Sequence, residues 1–198
     1  PVFRGATVTT AAYGFGLVGG ALVAVAGAPL IGLDREHGTL ALTRILIPRP
    51  ALGYGAKALV AAVSGTAAGL AGAGAAIVVA AVTGLSSPAA EILRLGTTAP
   101  VAGALLAVLG LAVGYLASST TAAVGVVLGW WFLVEAIAVP ALPFGRSLAA
   151  WLPATSSQLS TIGVPANTAT WSPWVSLAIL AAWTAVATGV ALIHHRRQ

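Results

Sequence analysis

The 198-residue chain contains no cysteine. Disulfides, thiolate metal sites and cysteine nucleophiles are therefore excluded. Methionine is missing too, even at position 1, where Pro1 stands. The expectation is a processed N-terminus or a numbering that begins inside a longer chain. Charge is the third shortage: 7% of residues are charged, against roughly 25% in a soluble domain. That is too little to cover a water-soluble surface. There is no G-x-x-x-x-G-K-[ST] phosphate loop and no Gly-x-Ser-x-Gly elbow. The three histidines, His37, His194 and His195, have no carboxylate cluster at metal-ligand spacing. Neither catalysis nor a cofactor bound by this chain is expected.

What is present is hydrocarbon. Hydrophobic residues make up 59% of the chain, and the mean hydropathy is +0.99. Long apolar runs broken by short polar stretches predict an all-α polytopic transmembrane bundle, one domain over residues 1–198. Five runs reach the ~20 residues a span requires: 7–32, 58–84, 98–117, 122–139 and 173–193. A polar stretch with Glu91 and Arg94 separates the second from the third. Ser118, Ser119, Thr120 and Thr121 read as a tight turn, and Pro140 and Pro143 end the fourth span. Residues 140–172, rich in Pro, Ser and Thr, read as an external loop. Within it FGRSLAAWLP is expected to form a short interfacial helix with aromatic anchors, dipping back towards the membrane.

The net charge of +5 would point to nucleic acid in a soluble protein. Here the basic residues stand between hydrophobic segments and read as topology signals, with no nucleic acid implied. Five spans place Arg35, Arg44, Arg49, Lys57, Arg196 and Arg197 on one side and Arg4, Arg94 and Arg146 on the other. By the positive-inside rule the segment 33–57 and the C-terminus are cytoplasmic, in a bacterial plasma membrane. Gly16/Gly20, Gly65/Gly69 and Gly110/Gly114 fit small-xxx-small spacing and read as close helix packing.

The segment from Asp34 to Lys57 holds two of the four acidic and four of the nine basic residues. Gly38 breaks the preceding helix and Thr39 can N-cap a new one. LALTRILI (40–47) carries apolar residues at 42, 45 and 46 with Arg44 on another face, and Pro48 and Pro50 stop it. This predicts a short helix lying on the membrane surface between two spans.

Glu36-His37-Gly38-Thr39-Leu40, then Ile47-Pro48-Arg49, then Lys57-Ala58-Leu59 resembles the cytoplasmic loop of type-2 ABC exporter permeases. The tight turn at 118–121, Leu142-Pro143-Phe144 at the head of a long external loop, and a Trp-bearing last span with a basic tail extend the resemblance. The family has six spans where five are visible, so the resemblance implies that the first is missing. It also implies a coupling helix docked on a separate nucleotide-binding subunit, which carries the ATP and Mg, and a second permease chain, identical or a sibling. In that frame Asp34, Arg35, Glu36, His37, Gly38, Thr39 and Arg44 are the coupling residues.

Glu135 is the only acid inside a predicted span, where an ionisable group costs about 2.5–3.5 kcal/mol at mid-depth. No predicted span offers a Lys, Arg or His partner. Two readings stay open for it: a structural hydrogen bond near the external helix end, or contact with a cation or substrate, as in an ion-coupled secondary transporter. A non-transporting structural subunit is the third class. Trp130 and Trp131, together with Trp183, either line a path for a lipophilic substrate or pack among the spans.

Overall fold

The computed structural model describes residues 7–31, 50–85, 87–162 and 172–196. Every regular element among them is helical. In chain order these are α1 (Val8–Gly27), α2 (Pro50–Thr83), α3 (Ala89–Leu116) and α4 (Thr120–Leu128). A π-helical segment (Gly129–Ala138), α5 (Gly145–Ala149), α6 (Pro153–Ile162) and α7 (Pro173–Arg196) follow. Their ends obey local chemistry. Thr7 caps α1, its hydroxyl accepting from the Thr9 amide while the Thr10 hydroxyl accepts from the Thr7 amide. At the end of α2, Gly84 takes φ +67, and the Leu85 amide reaches the Ala80 carbonyl at 2.9 Å, a Schellman closure that favours glycine. Ser119 caps α4 through the Ala122 amide at 3.1 Å, so the predicted 118–121 turn is there, tightened to residues 117–119.

Four helices among the described residues are long and apolar enough to cross a membrane: Leu52–Thr83, Ala89–Leu116, Thr120–Ala138 and Pro173–His194. The expected 7–32 span corresponds to the 20-residue α1 and the helical turn after it, through Ile31. The polar stretch around Glu91 and Arg94, expected to lie between spans, is instead the first turns of α3. Pro88 starts the helix, and Glu91 lies in the first turn, where negative charge is favoured. Arg94 therefore stands on the same continuous helix as the expected 98–117 span. The expected external loop also holds regular structure, α5 and α6.

α3 is the central helix. Half of its most apolar window is buried (50%), against 22–28% for the other three candidate spans, and it packs on α1, α2, α6 and α7. The interior is built of alanine and glycine, so helices meet backbone to backbone. A side chain at Gly110 would collide with the Ala24 carbonyl, and one at Gly65 with the Gly103 carbonyl. Gly69 packs on Ala99 and Gly114 on Ala28 in the same manner. The small-xxx-small pairs on α2 and α3 thus serve internal packing, which in lipid replaces the hydrophobic effect as the adhesive. The register of these contacts makes α1 parallel and α2 antiparallel to α3.

Candidate functional site

Of the residues expected to couple to a partner, Asp34, Arg35, Glu36, His37, Gly38, Thr39 and Arg44 lie outside the described residues, as does the 40–47 helix. The frame from which they hang is described. Lys57 Nζ donates to the Leu30 carbonyl at 2.5 Å, tying the start of α2 to the end of the helix leaving α1. One turn earlier Tyr54 stacks edge-on against Tyr115 (centroids 4.9 Å apart) and shares a hydrogen bond of 2.9 Å with the Thr188 hydroxyl. Ile31, Tyr54, Leu111, Tyr115 and Ala191 form one buried cluster. Ile31, the start of α2, the 117–119 turn and the end of α7 therefore share one end of the bundle.

The other end is organised around Glu135, which is 5% exposed and does have partners. Its Oε1 accepts from Trp130 Nε1 at 2.7 Å and from the Ala154 amide at 3.0 Å. Its Oε2 accepts from the Thr155 amide at 2.8 Å and the Thr155 hydroxyl at 3.0 Å. Ala154 and Thr155 follow Pro153 in the first turn of α6. Those amides have no partner within a helix, and the carboxyl of a different element satisfies them. Two bonds at each oxygen fill the roughly four acceptor positions a carboxylate offers. The carboxyl thus joins the π-helical segment to the start of α6.

At the far end of α6, Arg94 Nη2 donates to the Ile162 carbonyl at 2.8 Å. A carboxyl at the N-terminus and a guanidinium at the C-terminus are the signs the helix dipole favours. Between them α6 is polar yet buried at Ser156, Ser157 and Ser160. The Ser157 hydroxyl returns to the Ala154 carbonyl and the Ser160 hydroxyl to the Ser157 carbonyl, both at 2.7 Å. Such back-bonding satisfies each hydroxyl inside its own helix and lets a serine-rich segment sit within the bundle. The expected helix at 144–153 is in part the five-residue α5, and the buried element is the one after it.

The expected tryptophan contacts resolve individually. Trp131 is buried over Gly20 and donates to the Leu17 carbonyl at 3.0 Å, so it joins the π-segment to α1. Trp130 faces Trp183 with centroids 6.2 Å apart, and Trp183 donates to the Trp151 carbonyl at 2.7 Å. All three indole N–H groups are thus bonded to protein. The rings border an apolar cavity of about 190 Å³, floored by Gly110 and Val113 of α3 and reaching Pro153 of α6. A second cavity of about 100 Å³ runs between α1, α2 and α3, lined mostly by glycine and alanine and bounded by Ser157 and Thr161 of α6. No group of three or more metal-ligating side chains occurs among the described residues.

No family model matches the sequence, and no curated protein or solved structure matches it either.

Proposed function

We propose that the chain is the membrane-spanning permease subunit of an ATP-driven exporter, moved by a separate nucleotide-binding subunit that docks on residues 33–57. The observation that carries this is the frame around that segment. Lys57 bonds the Leu30 carbonyl, and Tyr54 touches both Tyr115 and Thr188. A push on the charged segment is thereby delivered to α1, α2, α3 and α7 together. With it goes the likeness of Glu36–Leu40, Ile47–Arg49 and Lys57–Leu59 to exporter coupling loops. Under this reading Asp34 to Thr39 and Arg44 contact the ATPase, ATP and Mg belong to that partner, and a second permease chain completes the pathway within a bacterial plasma membrane. The aromatic, apolar cavity beside Trp130, Trp131 and Trp183 favours a lipophilic substrate. Residues 140–162 would close the outer mouth, as the corresponding region does in similar exporters.

The rival ion-coupled transporter requires Glu135 to exchange an ion. Its two oxygens already accept two bonds each, so an ion taken up there would have to displace donors of Trp130 or α6. Transport assayed in inverted vesicles decides between them. The exporter reading requires ATP and tolerates an ionophore that collapses proton and sodium gradients. Transport that stops with the ionophore and ignores ATP would transfer the function to the rival. Replacing Arg35 and Glu36 together with alanine is expected to uncouple hydrolysis from export while the protein stays in the membrane; unchanged coupling would remove the role given to the segment.

A further inference from the structure

Arg94 and Glu135 are 41 positions apart and stand on different helices, yet each holds one end of α6. A ten-residue helix is about 15 Å long, so the two side chains do not touch; α6 is the object between them. We infer that Arg94 and Glu135 form a two-jawed latch that makes α6 a single releasable unit, sensitive to sliding of α3 against the π-segment. The mechanics follow from hydrogen-bond geometry. The bond at the Ile162 carbonyl is 2.8 Å and those to the Ala154 and Thr155 amides are 3.0 and 2.8 Å. A displacement of about 1 Å along the helix carries such bonds out of the range in which they are strong. Because the jaws belong to separate helices, any shift of one against the other along α6 must open one jaw. The serine hydroxyls cannot take over the anchoring, because they are bonded to carbonyls of α6 itself or of the turn before it.

Release has a defined consequence. Ser157 and Thr161 bound the glycine-lined cavity and Pro153 bounds the tryptophan-lined one, so α6 borders both. Its departure opens both at once. The inference goes beyond the exporter proposal, since it concerns relative motion of two helices whatever drives that motion.

The absence of native cysteine gives a clean test. A Ser157→Cys reporter, at a position 4% exposed, is placed in the full-length chain in membranes, and its labelling rate with a small maleimide is followed. A control Ala61→Cys reporter sits at a fully buried position in the cluster at the opposite end. The latch predicts slow labelling of Ser157→Cys in the parent. Arg94→Ala and Glu135→Gln should each raise it by about tenfold or more, the ratio that accompanies loss of one charge-assisted hydrogen bond. The combined variant should label no faster than the faster single variant, because either change alone frees the same helix. Arg94→Lys, which keeps a donor and the charge, should retain protection. If Glu135→Gln fails to insert, Glu135→Asp serves the same comparison, being one methylene too short to reach both amides. Unchanged labelling in either single variant, multiplied rates in the double, or equal labelling of the Ala61→Cys control would each overturn the latch.

Discussion

Adding one methyl group at Gly110 is a demanding test of the backbone-to-backbone packing. A Cβ there would fall deep inside the van der Waals envelope of the Ala24 carbonyl, with the Ala24 Cα behind it. Neither is a flexible side chain that can turn aside. α1 must therefore move off α3, and it cannot do so at Gly110 alone, because Gly27 against Ala107 and Gly114 against Ala28 continue the same seam. Overpacking of a tight core costs about 1–3 kcal/mol, and a radial gap of 0.5–1 Å forfeits roughly a quarter to a half of each dispersion contact along the seam. A loss of about 2 kcal/mol is expected for Gly110→Ala, a fall of about 4–8 °C in Tm for a chain of this size. The assay is thermal unfolding in a mild detergent followed by tryptophan fluorescence. Gly189→Ala in α7 is the matched control, because a Cβ there meets nothing within 4 Å, and alanine gains about 0.8–1.0 kcal/mol in helix propensity over glycine. A Gly110→Ala protein as stable as the Gly189→Ala protein would refute the packing account.

Further outcomes follow from single contacts. Tyr54→Phe should cost about 0.5–1.5 kcal/mol by deleting the bond to Thr188. Tyr54→Phe and Thr188→Ala combined should cost less than the sum of the two, as measured by a double-mutant unfolding cycle. Trp131→Phe removes the indole donor to the Leu17 carbonyl, which lies inside α1 and keeps its helical bond, and should cost about 0.5–1.5 kcal/mol, read in the same unfolding assay. Val113→Phe, on the floor of the tryptophan-lined cavity, should lower the affinity of a fluorescent lipophilic probe several-fold while leaving Tm within a few degrees; unchanged probe binding would separate that cavity from any lipophilic site.

Much of this architecture was legible in the sequence because apolar length alone announces a helix in lipid. The last span, expected at 173–193, is found as a candidate span over Pro173–His194, and the serine-threonine break after Leu116 is a turn. The misreadings have physical causes. Glu91 and Arg94 look like loop residues when charge is equated with solvent, but a glutamate in a helix's first turn and an arginine bonded to a carbonyl 68 residues away are both helical. α6 was hidden because serine and threonine read as loop formers, and back-bonding to their own helix is invisible in composition. Glu135 has no Lys, Arg or His partner in the sequence of the spans, and three of its four partners are instead the backbone amide of Ala154 and the amide and hydroxyl of Thr155. The fourth, Trp130, lies five residues earlier, about 140° away around an ordinary α-helix, and reaches the carboxyl from within the π-helical segment.

The central functional claim is that a soluble ATPase acts on residues 33–57. The direct measurement is a pull-down of the tagged chain, in mild detergent, from the membranes in which it is naturally made, with the eluate assayed for co-purifying ATPase. The account predicts that an ATPase subunit comes down with the chain and is lost when residues 34–39 are replaced. A chain that elutes without ATPase activity, or retains it after that replacement, would contradict the claim.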